Sequence, residues 1–269
     1  MARAIWHGAI SFGLIYVPVD LYSAAQDNTL PLHLLDSRDF APVGYQRVNK
    51  STGKEVDWGH IVKGYEYKKG EYVALSDADF KHANVKASET IDIEHFTAAA
   101  NIPAQYYETP YHLLPGKGGE KVYNLLCKAM ADADKVAIAT FVMRGRQHLC
   151  AVAAQGAALL LLTLRFDDEL LPPVTPAKSG AGRSAQVSTA ELSMAKQVIA
   201  GMSASFKPAQ YKDTYKTDLM RRVKEKIRKK QTHSLSVEEP AASPRPKAEV
   251  IDLMTALKNS LKVKHKKRA

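Results

Sequence analysis

RAIWHGAISFGLIYVPVDLYSA, residues 3–24, is the stretch whose reading decides the fold. Apolar side chains alternate loosely with others through Ile10, Phe12 and Leu14, and again through Tyr16, Val17, Val19 and Leu21, which is strand spacing and not helix spacing. Gly8, Gly13 and Pro18 interrupt the pattern. Gly13 within a strand implies a bulge or a tight barrel corner, and Pro18, with no N–H for a ladder, implies an edge or a strand start. The chain therefore opens as a kinked strand pair in an all-β region. The stretch lies almost at the initiating Met, so no signal peptide or presequence is expected ahead of it.

Outward from this opening, strand-like runs follow at 65–75, 90–96, 106–113, 137–143, 148–153 and 157–165, with turn residues between them. Many short strands of this kind predict a barrel or a sandwich. One helix is predicted among them, over 120–131, with Val122, Leu125, Leu126 and Met130 on one face. Pro172, Pro173 and Pro176 followed by SGAGRSA read as a flexible linker. Ser188 and Glu191 then form a capping box, with Val187 and Leu192 placed as its hydrophobic staple, and Leu192, Ala195, Ile199 and Met202 give an apolar stripe. A second helix is predicted over 213–230, with Tyr215, Leu219, Met220, Val223 and Ile227 on one side and RRVKEKIRKK crowding the other. EEPAASPRPK reads as a disordered linker, and AEVIDLMTALKNSLK as a last amphipathic stretch running into the basic end KVKHKKRA.

The 269 residues are 45% hydrophobic and 25% charged, ordinary for a globular protein, but the net charge of +10 is placed unevenly. From 216 onward 16 Lys and Arg stand against 6 Asp and Glu, whereas residues 1–215 hold 22 of each. A basic tail on a neutral core favours a polyanion, and the plainer alternative is a solvated, solubilising tail. Cys127 and Cys150, both in apolar settings, are expected as buried thiols in a reducing cytoplasm. The longest apolar run, 156–164, fits one buried strand and is too short to cross a membrane.

The string W-x-G-x-I-S-F-G-L at 6–14 and V-P-V-x-L-Y at 17–22 resembles the opening of the bacterial Ku family, whose members clamp double-stranded DNA ends in end joining. Four further stretches resemble it in the same order: IVKGYEYKKGEYVALSDADF (61–80), YYETPYHLLPGKGGEKVYNLL (106–126), KVAIATFVMRGRQHLCAV (135–152) and STAELSMAK with YKDTYKTDL (188–219). The resemblance implies a mainly β fold with α. A Ku-type β-barrel core would occupy 1–180, with a DNA-encircling bridge at about 30–75. A helical C-terminal arm for ligase recruitment would follow at 188–232, and a flexible basic tail at 233–269. Eukaryotic members carry an extra N-terminal α/β domain, and a chain that starts on the barrel matches the bacterial layout. The resemblance also implies a homodimeric ring on double-stranded DNA ends, a multidomain ATP-dependent DNA ligase (ligase D) as partner, and a cytoplasmic, nucleoid-associated protein. One departure is visible: many relatives hold C-x-x-C where this chain has Asn49-Lys50-Ser51-Thr52. A thiolate zinc site needs about four ligands, so the turn is expected to close without metal through Ser51-Thr52-Gly53.

A clamp indifferent to sequence needs cations aimed at phosphates and no base-edge readers. The bridge supplies Arg38, Arg47, Lys50, Lys54, Lys63, Lys68 and Lys69, interspersed with Asp39, Glu55, Asp57 and Glu66. Read without the resemblance, that run is an ordinary mixed-charge loop. Lys68-Lys69-Gly70 sits at a predicted hairpin tip. Arg144-Gly145-Arg146 is a tight turn between apolar strands, able to present two guanidinium groups, and the resemblance puts it on the DNA-facing side. Lys229 and Lys230, with Lys264, Lys266, Lys267 and Arg268 in the basic end, complete the candidates. Three to five engaged phosphates predict a salt slope of roughly −3 to −5. The resemblance assigns the ligase contact to the second arm helix, where Tyr215, Leu219, Arg222, Val223 and Lys226 are the candidates.

Catalysis is not expected. PGKGGEK (115–121) lacks the Ser or Thr of a nucleotide-binding P-loop, and Glu120 repels an anion at the helix start. Asp167-Asp168-Glu169 reads as a solvated loop, and the nine His residues show no H-x-x-x-H pair. No cofactor or metal is predicted. The competing reading is a nonspecific nucleic-acid-binding protein acting through its basic tail.

Overall fold

The computed structural model describes residues 3–83, 89–173 and 187–232. Strands β1 (Trp6–Phe12) and β2 (Ile15–Ser23) form an antiparallel hairpin whose register runs from Trp6↔Leu21 to Phe12↔Ile15. Gly13 is therefore in the two-residue turn and not within a strand, and its φ of +59° is the left-handed conformation that a glycine-first hairpin turn requires. Pro18 is likewise interior to β2. The ladder to the next strand begins only at Val19↔Pro115, so no carbonyl awaits its missing N–H.

The predicted run 65–75 is a second hairpin, β3 (Lys63–Lys68) and β4 (Glu71–Leu75), broken at Lys69-Gly70. A short helix that the sequence analysis left out, α1 (Asp77–Ala83), follows. The remaining strands are β5 (Thr90–Thr97) and β6 (Tyr107–Pro115), then, after helix α2 (Glu120–Asp132), β7 (Val136–Met143), β8 (Arg146–Gln155) and β9 (Ala158–Leu164). Seven strands close into a barrel in the order β1-β2-β6-β9-β8-β7-β5, sealed by the parallel pair β1–β5. Two arm helices, α3 (Thr189–Met202) and α4 (Thr214–Arg228), follow as predicted, capped by Ser188 with Glu191 and by Asp213. Val187 and Leu192, placed as a staple, both remain exposed. The chain divides into two compact units, Met1–Asn28 with Gly44–Pro172, and Thr29–Val43 with Pro173–Ala269.

The barrel interior is filled by Ile10, Val17, Val19, Leu21, Ile91, Leu113, Val152, Leu159 and Leu161, with Cys150 among them. Burial pushes the Cys150 thiol far above its ordinary pKa, so it stays protonated. Helix α2 buries Tyr123, Leu126, Cys127 and Met130, while Leu125, expected on that face, is 65% exposed. The Tyr123 hydroxyl donates to the Leu113 carbonyl at 2.7 Å and accepts from the Leu159 N–H at 2.7 Å, stitching β6 to β9 where these residues face each other. Removing it strands two buried backbone groups. Tyr123→Phe is expected to lower stability by about 2 kcal/mol, read as a drop in urea midpoint at constant slope.

Candidate nucleic-acid interface

The strand registers sort the barrel's loops onto two rims. Trp6, Ser23, Thr90, Tyr107, Met143, Arg146 and Leu164 end their strands at one rim. The chain leaves the barrel there after Ser23 and re-enters at Thr90. The Arg144-Gly145 turn is on this same rim. Phe12, Ile15, Thr97, Pro115, Val136, Gln155 and Ala158 mark the opposite rim. There an apolar groove of about 470 Å³, lined by Phe12, Ile15, Phe96, Leu125 and Met130 among others, has Lys135 as its one charged residue. Cations adjoin both rims: Arg144, Arg146 and Arg165 at the first, and Lys117, just past Pro115, and Lys135, just before Val136, at the second.

The turn between β7 and β8 pairs Met143 with Arg146 and has both central residues at positive φ, Arg144 at 52° and Gly145 at 75°. That is the type I′ pattern, which matches strand twist and favours Asn or Asp at the first position. An arginine is strained there. Arg146 opens β8 and is exposed. Arg165, absent from the sequence-based candidates, extends β9 at the same rim. Its guanidinium is tied to the carbonyls of Gln105 (3.1 Å) and Tyr107 (2.9 Å), with Glu108 at 3.7 Å, so it braces the loop.

The bridge cations are exposed, and several have intrachain partners. Arg38 pairs with Asp36, and its guanidinium and backbone N–H hold that carboxyl below the usual range. Arg47 lies over the Trp58 ring at 4.2 Å and Lys63 over Phe80 at 4.6 Å. Lys68 pairs with Glu71 at 2.8 Å, and Tyr67 donates to the same carboxylate; the two bonds, Lys68 first, lower the Glu71 pKa. Exposed pairs of this kind contribute about 0–1 kcal/mol, so exchange with a phosphate oxygen costs little. Lys69 and Gly70, the latter at φ +81°, form the tip of the β3–β4 hairpin.

Lys50 and Lys54 flank the turn at Ser51-Thr52-Gly53. Its closure rests on Asn49. The side-chain oxygen accepts from the Ser51 and Thr52 N–H groups at 2.9 and 3.2 Å, its carbonyl accepts from Gly53 at 2.8 Å, and its N–H donates to Lys54 at 2.8 Å. The sequence analysis credited Ser51-Thr52-Gly53. The tendency of Asn to bond the backbone two residues on was the signal for Asn49.

In the arm, Tyr215, Leu219, Arg222, Val223 and Lys226 recur along one face of α4; Tyr215 is exposed, and Arg222 reaches Glu225 at 3.5 Å. Lys229 caps the helix and Lys230 follows at positive φ. Lys264, Lys266, Lys267 and Arg268 lie outside the described residues, as do the predicted linker and last amphipathic stretch. In the acidic run, Asp167 accepts from the Tyr106 hydroxyl at 2.7 Å and Glu169 from the Phe166 N–H at 2.8 Å. No helix among the described residues is long and apolar enough to cross a membrane.

A family model described as the Ku70/Ku80 β-barrel domain matches residues 11–194. Among curated proteins, the "Non-homologous end joining protein Ku" of Cupriavidus necator is 48% identical over 264 residues, covering 97% of this chain and 78% of that protein. Its namesake in Pseudomonas aeruginosa is 41% identical, covering 97% and 89%. The archaeal one from Archaeoglobus fulgidus is 38% identical, covering 84% and 88%. Among solved structures, the SPOC domain of human PHD-finger protein 3 aligns with a TM-score of 0.32 at 10% identity, covering 61% of this chain and 97% of that chain.

Proposed function

The chain belongs to the Ku family, and from that premise we propose that it binds double-stranded DNA ends, without regard to sequence, as a homodimeric ring in non-homologous end joining. The observation that supports this reading is the shared rim: the Arg144–Arg146 turn lies on the same edge of the barrel as Ser23 and Thr90, between which the chain leaves the barrel and returns. Each copy contributes a cradle, the barrel over 1–180, and a strap, the bridge over about 30–75. Phosphate contacts supply affinity. The closed ring supplies end specificity, since a duplex enters only from a free end. The protein carries out no chemistry of its own. Its arm, 188–232, recruits and stimulates a multidomain ATP-dependent DNA ligase (ligase D) through the α4 face of Tyr215, Leu219 and Val223, with Arg222 and Lys226 beside them. The basic tail, 233–269, adds nonspecific phosphate contacts, and the protein works in the cytoplasm at the nucleoid.

The test is a salt-titrated binding comparison of a linear duplex with a covalently closed circle of the same sequence. The expected result is retention of the linear form at moderate salt with little circle bound, and a log–log salt slope of roughly −3 to −5. The chain truncated after Thr232 is expected to keep the preference for linear DNA at lower affinity. Equal binding of both forms, lost on truncation, establishes instead the reading in which the basic tail alone binds polyanions.

A further inference from the structure

Trp6 reaches a strand that its own strand does not pair with. Strand β1 starts three residues beyond the first residue of β5 at the DNA-facing rim, since Ala9 and not Trp6 is opposite Thr90. The β5–β7 ladder stops at Asp92↔Thr140. In the space left past that ladder the Trp6 indole N–H donates to the Val142 carbonyl at 3.0 Å. Val142 lies two residues before the strained Arg144, and across the hairpin it pairs with Gln147.

The indole ring also meets Phe141 edge-on, with centroids 5.9 Å apart at 80°. Phe141 in turn packs on its cross-strand partner His148 at 5.5 Å. The indole fits because position 8 is glycine: a Cβ there would overlap the ring and the Glu89 carbonyl oxygen. Three rings and one hydrogen bond thus grip both strands directly under the turn. A side chain held at positive φ persists only where the surroundings over-determine it, and this brace is the over-determination.

We propose that Trp6 is a positioning residue for phosphate binding: through the Val142 carbonyl it sets the angle of the β7–β8 turn, so that Arg144 and Arg146 engage the DNA backbone together. The proposal rests on the reading of this rim as the DNA-facing one. Trp6 itself touches no DNA.

The experiment is a mutant cycle in the full chain, measuring affinity for a linear duplex over a salt series, with thermal unfolding alongside. Trp6→Phe keeps an aromatic ring over Gly8 and loses the donor. Its expected effect is an affinity loss of about tenfold and a salt slope shallower by about 1 to 2. Combined with Arg144→Ala and Arg146→Ala, it is expected to cause no further loss. Should Trp6→Phe unfold the barrel, a benzothiophene analogue of tryptophan at position 6 keeps the shape and removes only the N–H. Additive losses at an unchanged slope reduce Trp6 to a structural role and overturn the proposal. So does unchanged affinity in Trp6→Phe when the double arginine variant binds weakly, or unchanged affinity in that double variant itself. Equal binding of closed circles by the wild type is a distinct failure, that of the ring, and the cycle still reports on the turn through its slope.

Discussion

Replacing Arg144 and Arg146 together by alanine is expected to weaken binding to a linear duplex about 100-fold. Each guanidinium offers charge-assisted hydrogen bonds to a phosphate, worth about 1.5–3 kcal/mol net. Two such contacts, less what neighbouring cations recover, leave about 3 kcal/mol, which is the hundredfold. The salt slope is expected to fall in magnitude by about 2, one counterion equivalent per phosphate released. Folding is expected to be nearly untouched, because neither side chain fills the core. Arg144→Asn separates the two roles further. Asn tolerates the left-handed conformation that Arg144 adopts at φ 52°, so that variant is expected to unfold at a slightly higher urea concentration while binding DNA more weakly. Opposite movement of stability and affinity is the mark of a residue kept for function against local preference. A fall in both assigns the turn to structure instead.

Gly8→Ala is expected to cost about 3 kcal/mol of stability or more, enough to deplete the folded state of a marginal domain. The added methyl meets two obstacles, the Trp6 ring and the Glu89 carbonyl oxygen. The ring can rotate away only by giving up its bond to Val142. The carbonyl accepts the Ala9 N–H at 2.9 Å, at the parallel pair that seals the barrel, so its displacement opens the closure. Urea unfolding of the variant checks the magnitude. Gly13 provides the contrast: a Cβ there meets nothing within 4 Å. Its constraint is the positive φ alone, and alanine there is expected to cost about 1 kcal/mol.

Much of the barrel was legible in the sequence because its signals are local. The alternation through β7, β8 and β9 marks strands buried on one side, and Ser188 with Glu191 announces a helix start through bonds spanning three residues. Where a local rule competed with a distant partner, it misled. Leu125 fits the apolar period of α2, yet Tyr123 takes the inward position because its hydroxyl bridges Leu113 and Leu159. Pro18 reads as an edge residue, and only the offset between β2 and β6 admits it to a strand interior. The bridge cations were visible as residues but not as pairs: Arg47 with Trp58 and Lys63 with Phe80 depend on a chain path that no periodicity encodes.

The sequence by itself determined most of the barrel strands, helices α2, α3 and α4, the placement of the basic excess after residue 215 and, through motifs such as W-x-G-x-I-S-F-G-L, the family. Those properties depend on residues within a few positions of one another, or on composition. Only the tertiary structure decided that the Arg144 turn shares a rim with Ser23 and Thr90, where the chain leaves and re-enters the barrel, and that Trp6 serves a carbonyl 136 residues away. The physical reason is register. Which strand ends meet is set by ladders closed between distant segments, and in a barrel that choice becomes definite only when the last pair, β1 against β5, is made.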